Sequence, residues 1–165
     1  MESLLKRKSI RKYTSQPVAD EIVRDLLHAA MSAPSAANQQ PWHFVVVRDR
    51  NILASIAEVH PYAFMLNQAP LAIVVCATEE LGDFKHYWVQ DCAAATENIL
   101  TAAVANGLGG VWLGVHPRQN VQEIKQLLKL PAAITPFSVV SIGYPDEFPE
   151  AGNRYDRSRV HYDTW

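Results

Sequence analysis

Apolar residues recur along this chain in two patterns, one with the spacing of amphipathic helices and one in short β-branched runs. The helical pattern predicts helices at residues 20–33, 50–59, 88–106 and 119–128. The β-branched runs predict strands at residues 43–48, 71–77, 109–115 and 136–145. Neither a linker nor a repeat interrupts this order, so we expect one domain over residues 1–165. We expect helices to cover a central sheet in this domain, which gives an α+β or three-layer α/β/α fold.

The helix predicted at residues 88–106 differs from the others because small side chains occupy most of its faces. Its alanines include Ala93, Ala94, Ala95, Ala102, Ala103 and Ala105. High helix propensity in a buried central helix explains this composition. A helix packed closely against the sheet and a second subunit explains it equally well. Composition alone does not place an interface, so both interpretations stay open.

Composition and charge narrow the class of protein. The chain has 165 residues, 48% of them hydrophobic, with a formal net charge of -2 and a pI near 6.3. This balance shows no global basic excess, so we expect no nucleic-acid or membrane partner. No apolar run approaches the roughly 20 residues of a membrane span, and charges interrupt residues 1–12 where a signal peptide has its apolar segment. We therefore expect a soluble, cytoplasmic protein.

The cysteines and histidines show no pattern typical of metal binding. Cys76 and Cys92 fall in apolar runs without CxxC spacing, so we expect buried free thiols. The six histidines form neither an HExxH motif nor a pair four residues apart. The sequence therefore predicts no metal site.

Basic residues concentrate near both ends of the chain. The clusters are Lys6, Arg7, Lys8, Arg11 and Lys12 around Ser9, and Arg154, Arg157 and Arg159. A solvated basic face is one interpretation of the first cluster. The other is a site for a dianionic phosphate, because charge-assisted donors hold such a group and the two clusters would share it if the chain ends met in space.

The connection between the first predicted helix and the first predicted strand has an unusual composition. Residues 32–44 read SAPSAANQQPWHF, with two prolines, small residues and side-chain amides. An ordinary turn needs only a Gly or an Asn, so we expect something specific to sit against this segment. Trp42 and Phe44 are expected to be core anchors, because Phe44 opens a buried strand.

A glycine-rich run, GLGGVWLG at residues 107–114, follows a predicted helix and opens a predicted strand. A phosphate-binding glycine turn has the opposite order, because it follows a strand and places the amides of a helix N-terminus on the anion. We therefore interpret Gly107 as the end of a helix that turns directly into a buried strand.

Four motifs in this order resemble the FMN-dependent nitroreductases, specifically their compact short-chain members. They are RKSIRKY at residues 7–13, APSAANQQPWHF at 33–44, GLGGVWLG at 107–114, and IGYPDE followed by NRYDRSRVHYDTW near the C-terminus. The resemblance covers essentially the whole chain, and the first two motifs are specific as a pair. It implies a three-layer α/β/α fold with a central mixed, mostly antiparallel sheet, and a homodimer with FMN at the interface.

The resemblance also implies which residues bind the FMN phosphate and ribityl chain. They are Arg7, Lys8, Ser9 and Arg11 of the first motif, with Arg154 as the late arginine that completes the phosphate site. Larger family members place a lysine two residues before that arginine, where this chain has Gly152. The resemblance therefore implies a phosphate site that lacks one of the family's cations.

The isoalloxazine ring is implied to lie along the unusual connection. The matching residues are Pro34, Ser35, Ala36, Asn38 and Gln40, and backbone at Leu113 and Gly114 is implied to face the flavin N5. Small residues let a backbone approach a flat ring, and amides supply donors and acceptors for its edge. Tyr62, Phe64 and His86 fall where family members vary their substrate pockets, although ordinary packing explains each of them equally well.

The implied activity is ping-pong hydride transfer, in which NADH or NADPH reduces FMN and a nitroaromatic, quinone or related acceptor reoxidises it. The cofactor carries the redox chemistry, so the protein needs no catalytic acid or nucleophile. Two alternatives stay open. One is a reduced-flavin specialist of the same superfamily, such as a dehalogenase or a flavin-destroying enzyme, and the other is a non-catalytic flavin-binding or storage protein.

Overall fold

Helices and strands follow the order that the apolar pattern predicts. The computed structural model describes residues 1–79, 82–117, 120–150, 152 and 154–165. The helices are α1 (Glu2–Lys6), α2 (Asp20–Met31), α3 (Arg50–Val59), α4 (Trp88–Ala105) and α5 (Val121–Leu127), and the strands are β1 (Trp42–Val47), β2 (Leu71–Thr78), β3 (Gly109–Gly114) and β4 (Ile134–Gly143). None of the helices in these ranges has the length and hydropathy of a membrane span.

The predicted and observed boundaries agree to within two residues wherever they are comparable. The predicted start of α5, Gln119, lies outside the described residues. The short helix α1 was not predicted, because its few residues are too short for a periodic pattern.

The strands pair antiparallel in the order β1–β2–β4–β3, which leaves β1 and β3 at the edges. A single isolated bridge between Ser9 and Gly110 is parallel and lays the N-terminal segment beside β3. The sheet was predicted to be mixed and mostly antiparallel. Among the described residues, its parallel pairing is limited to this bridge.

Each face of the sheet has its own core, because successive residues of a strand point to opposite faces. In β2, Leu71 and Ile73 pack into the core beneath α2 and α4, whereas Ala72 and Val74 pack into the core beneath α3 and α5. These four side chains are fully buried. A strand buried on both faces gives the continuous apolar run of residues 71–77, and the layers are those of the predicted α/β/α arrangement.

Helix α4 is the central helix of its layer. Cys92, Ala95, Ile99 and Ala103 recur at helical spacing and are fully buried in the core shared with the sheet. Ala102 is only partly buried, and Ala105 is exposed. The prediction of a buried central helix is therefore confirmed, while Ala102 packs against the edge of this core and Ala105 is open to solvent.

Both cysteines are buried and unpaired, as predicted. Burial raises the pKa of Cys76 in β2 and of Cys92 in α4 to about 12. Thiols with so high a pKa stay protonated near neutral pH and are poor nucleophiles. We therefore assign both cysteines to the core.

Candidate functional site

The first basic motif forms an extended segment beside β3, where backbone hydrogen bonds hold it. The Ile10 amide donates to the Gly110 carbonyl at 3.0 Å, next to the Ser9–Gly110 bridge. The Tyr13 hydroxyl lies 2.5 Å from the Ile10 carbonyl oxygen and 2.6 Å from Ser141 Oγ. Burial raises the pKa of Tyr13 well above its usual range, so its hydroxyl stays a donor. These contacts set the position of the neighbouring basic side chains.

The glycine run permits this close approach. A Cβ on Gly109 would lie 2.5 Å from Ile10 Cγ1, and a Cβ on Gly110 would lie 2.7 Å from the Ser141 carbonyl oxygen. Gly107 has a φ of 73° just after the end of α4, as the interpretation of a glycine-ended helix requires. The run therefore serves the packing of the N-terminal segment on β3.

The two chain ends meet at one cavity. Arg7, Lys8 and Arg154 line a cavity of about 470 Å³ together with Leu4, Leu5, Glu150, Gly152 and Tyr155. The Lys8 ammonium donates to the Pro149 carbonyl, which ties the first cluster to the C-terminal segment. The condition for a shared anion site, that the ends meet in space, is met by these residues.

Arg7 is held in place by an acidic residue of α4. Its Nε lies 3.4 Å from Glu97 Oε1, and its side chain is 19% exposed. Because the ion pair engages Nε, both Nη nitrogens remain available to donate to an anion in the cavity. Lys6 differs, since it pairs with Glu2 on the exposed surface of α1. The solvated interpretation therefore holds for Lys6 and not for Arg7.

A second groove, of about 270 Å³, lies at the far end of β3. It is lined by Arg11, His60, Tyr62, Phe64, Val111, Trp112, Leu113 and Gly114. The Arg11 amide donates to Glu147 Oε1 at 2.5 Å, which fixes the backbone from which this arginine extends. The groove thus combines one cation, exposed aromatic rings and the end of a strand.

Arg11 does not line the cavity of Arg7 and Arg154. A shared site for these three arginines was expected from the clustering of charge. Arg7 leaves α1 with a ψ of 128° and Ser9 forms a β-bridge, and four fully extended residues at about 3.3 Å each would span roughly 13 Å at most. The two arginines therefore line different cavities, and in the sequence they stand on either side of the Ser9–Gly110 bridge to β3.

The segment from Pro34 to Gln40 has an uncommon backbone. It contains a 3₁₀ turn at Ala36–Asn38, and Ala37, Asn38 and Gln40 have φ values of 47°, 56° and 50°. The Gln40 amide donates to Ser35 Oγ at 3.0 Å, and Gln40 Nε2 donates to Asn38 Oδ1 at 3.1 Å. Positive φ at three residues, none of them glycine, indicates a conformation imposed by surrounding contacts.

One of those contacts comes from Asp91 in the first turn of α4. Its Oδ1 accepts from the Ala36 amide at 3.1 Å. Asp91 is buried, and its Oδ2 has no hydrogen-bond partner among the described residues. A buried carboxylate oxygen without a donor is costly, so it marks a place where a further donor belongs.

Within one chain, the segment from Pro34 to Gln40 lines neither the cavity of Arg7 nor the groove of Leu113. The expected site residues therefore fall into two groups, one along β3 and one beside Asp91. Trp42 and Phe44 belong to neither group, because both pack into the core of α2 and α4 as predicted.

Several side chains around these groups were not singled out from the sequence. Asp91 and Glu97 are the two acidic residues of α4, which contains no basic residue, and that contrast was the signal for them. His60 was weighed only as a metal ligand. Tyr62 and Phe64, which were named from the sequence, are 60% and 64% exposed at the groove. Within the described residues, no group of His, Cys, Asp or Glu side chains could hold a metal ion.

Comparison with known proteins gives a consistent result. The chain matches the model of the Nitroreductase family over residues 4–60 and 57–144. An Archaeoglobus fulgidus protein, provisionally named NADH dehydrogenase/NAD(P)H nitroreductase, is 48% identical over 100% of both chains. An FMN reductase [NAD(P)H] of Bacillus subtilis is 32% identical and covers 100% of this chain and 74% of its own.

A solved structure of an FMN-dependent nitroreductase from Clostridium difficile superimposes with a TM-score of 0.92. It is 34% identical and covers 100% of both chains. The match of the family model, the identity of full-length relatives and the similarity of the fold agree. The chain therefore belongs to the nitroreductase family.

Proposed function

We propose that this protein is an FMN-dependent oxidoreductase that takes electrons from NADH or NADPH and passes them to a nitroaromatic, quinone or related acceptor. The observation that carries the proposal is the cationic cavity of Arg7, Lys8 and Arg154, because the same N-terminal segment runs past the Ser9–Gly110 bridge to Arg11 at the groove of Gly114. A cationic cavity and a groove lined mainly by apolar and aromatic side chains, both served by one segment, fit a molecule with a phosphate and a flat ring.

The residues of the cavity fit a dianionic phosphate. Arg7 presents both Nη nitrogens once Glu97 has engaged its Nε, and Arg154 comes from the opposite end of the chain. The side chain of Ser9 is exposed two residues after Arg7 in the chain and would add a hydroxyl donor. Gly152 lines the same cavity and supplies no charge, so we assign the binding to the two arginines and Lys8.

The groove fits the ring of the flavin. Leu113 and Gly114 present the end of an edge strand, whose backbone groups are not all used by β4. When bound, FMN accepts a hydride from the nicotinamide and returns it to the acceptor. The protein's part is to hold the ring against this backbone and to leave one face open to the acceptor. Tyr62 and Phe64 at the open side supply aromatic surface for a flat substrate.

We further propose a homodimer in which a second copy completes each site. The segment from Pro34 to Gln40 carries imposed backbone geometry, yet it lines neither the cavity nor the groove of its own chain. Phe148, Tyr162 and Trp165 are 88%, 78% and 99% exposed, which leaves apolar surface for a partner. Two copies of one domain spanning residues 1–165 would bury these groups together. A cytoplasmic location fits an enzyme that consumes NADH or NADPH.

An anaerobic titration separates this function from its alternatives. Protein loaded with FMN should lose its flavin absorbance when NADH or NADPH is added, and should regain it with a quinone or a nitroarene. A storage protein would not be bleached by either nucleotide. A dehalogenase would be reoxidised by a halogenated substrate and not by the quinone. Protein that binds no FMN would contradict the proposal altogether.

A further inference from the structure

His60 has both ring nitrogens engaged at the groove. It ends α3, is 1% exposed, and its Nε2 lies 3.0 Å from the Gly114 carbonyl oxygen. The Tyr62 amide donates to its Nδ1 at 3.2 Å. A carbonyl oxygen accepts only and an amide N–H donates only, so Nε2 carries the proton and Nδ1 does not. His60 is therefore held as one neutral tautomer.

These two bonds join two segments that both line the groove. Gly114 ends the edge strand β3, whereas Tyr62 lies in the turn that leaves α3. The ring is itself anchored by its backbone, because the His60 amide donates to the Ile56 carbonyl and the Ala63 amide donates to the His60 carbonyl, each at 3.0 Å. A buried ring with a fixed backbone and two directed bonds transmits the position of one wall to the other.

We propose that His60 is a positioning residue that sets the width of the groove through its two nitrogens. The proposal rests on the function proposed above, which places the flavin ring at Leu113 and Gly114. The Nε2 bond orients the end of β3, and with it the backbone that faces the ring. The Nδ1 bond orients Tyr62 at the mouth where the acceptor enters.

Two substitutions separate the bonds, because a shorter and a longer amide each mimic one ring nitrogen. His60→Asn keeps an acceptor near the position of Nδ1 and cannot reach Gly114. His60→Gln places a donor near the position of Nε2 and loses the acceptor for the Tyr62 amide. His43→Asn is the matched control, since His43 lies exposed on β1, at the opposite edge of the sheet from β3.

The expected results differ between the variants. His60→Asn should shift the reduction potential of bound FMN and lower kcat roughly tenfold, which corresponds to the free energy of about one hydrogen bond. KM for the acceptor should stay near the native value. His60→Gln should raise KM for the acceptor by a similar factor, leave the potential unchanged, and accelerate hydrogen exchange of the Tyr62 amide even without cofactor. His43→Asn should change none of these quantities.

Three outcomes would overturn the proposal. The first is the same kinetic pattern in both His60 variants, and the second is lowered thermal stability with native potential, kcat and KM. The third needs no variant: a proton on Nδ1 of His60, seen by long-range ¹H–¹⁵N correlation in the native protein. Failure of the native protein to bind FMN would instead contradict the proposed function, and the tautomer and exchange measurements would still decide whether the two bonds exist.

Discussion

Ala37 occupies a left-handed conformation that an alanine rarely adopts. Its φ is 47°, between Ala36, whose amide is bound by Asp91, and Asn38, whose φ is 56°. Asparagine tolerates this region because its short polar side chain bonds locally, whereas alanine has no such compensation. A conformation of this kind costs about 1–3 kcal/mol and persists where surrounding contacts over-determine it. The conformation of Ala37 therefore indicates that contacts such as the one from Asp91 hold this turn.

We expect Ala37→Gly to raise the free energy of unfolding by about 0.5–1 kcal/mol, measured by urea denaturation. Glycine enters the left-handed region without a Cβ penalty, and this gain exceeds its entropic cost. FMN should bind more weakly, because a more mobile turn has to be ordered on binding. Ala36→Gly is the control: the φ of Ala36 is not positive, so the change should destabilise. If Ala37→Gly and Ala36→Gly lowered the free energy of unfolding equally, the backbone of Ala37 would not be strained.

The arginines of the cavity give a second residue-scale prediction. Arg7→Ala and Arg154→Ala should each weaken FMN binding roughly ten- to a hundredfold, because each removes a charge-assisted donor worth about 1.5–3 kcal/mol. Flavin fluorescence at one fixed ionic strength measures both dissociation constants. Riboflavin, which lacks the phosphate, should bind poorly and respond little to either change.

Arg157→Ala is the matched control for the cavity. Arg157 lies in the exposed 3₁₀ turn Arg157–Arg159 and lines neither the cavity nor the groove. It carries the same charge, so a general electrostatic effect would appear in all three variants. If the dissociation constants of native protein, Arg7→Ala and Arg154→Ala were equal, the phosphate would have to bind elsewhere.

At the scale of elements, α4 connects the two groups of site residues. Asp91 in its first turn binds the Ala36 amide, and Glu97, six residues later, pairs with Arg7. Six residues are about 9 Å along a helix axis and about 120° apart around it. One buried helix thereby positions a turn on one side and a cation on another. This positioning requires a helix that is held firmly against the sheet. The fully buried Ala95 and Ala103 pack α4 into the core.

The cysteines of β2 and α4 give a pH-dependent prediction. In the folded state, Cys76 and Cys92 should resist a thiol reagent at pH 8 and react once urea unfolds the chain. Each thiol has a pKa of 9.0 when unperturbed and about 12 when folded. Between these values the unfolded chain releases protons that the folded chain keeps, so the free energy of unfolding falls as pH rises from about 9 to about 12. Below pH 9 the thiols contribute no pH dependence.

A single substitution isolates this thiol contribution. Tyr13, whose pKa burial also raises, acts in the same direction at high pH. The alkaline fall in stability should therefore become shallower in Cys92→Ala and keep its slope in a variant of an exposed residue such as His43→Asn. An unchanged alkaline slope in Cys92→Ala, or rapid labelling of the folded protein, would show that these thiols are accessible.

At the scale of the whole molecule, the proposed dimer leads to a prediction about Ala102. This residue is partly buried on α4 and faces a groove that Leu4 of α1 and Ala29 of α2 also line. Ala102→Trp should produce monomers in sedimentation at micromolar concentration and release FMN, while the chain keeps its secondary structure. Overpacking at an interface costs about 1–3 kcal/mol, enough to shift a dimer equilibrium. Ala54→Trp is the control. Ala54 is partly buried on α3, in the other helical layer, so this change should leave the dimer intact.

Native protein that sediments as a monomer with FMN bound would contradict the dimer. It would also remove the role proposed for the segment from Pro34 to Gln40, which reaches neither the cavity nor the groove of its own chain. If the native protein is a dimer, Ala102→Trp distinguishes a local packing defect from an interface, because only an interface links loss of association with loss of flavin.

The sequence by itself determined the elements and the family. Apolar period and β-branched runs are local properties, so the boundaries of α3 and β3 could be predicted closely. The four motifs were sufficient for the family and the fold, both of which are confirmed. The residues expected to bind FMN remain a prediction, since their roles came from the resemblance.

Only the tertiary structure decided which distant residues meet. The pairing of Arg7 with Glu97, of Ala36 with Asp91 and of His60 with Gly114 joins residues far apart in the chain. The placement of Arg7 and Arg11 in different cavities is likewise a property of the fold, which charge clustering does not reveal. The physical reason is that local periodicity encodes which face of an element is buried, whereas the packing of elements decides which side chains converge.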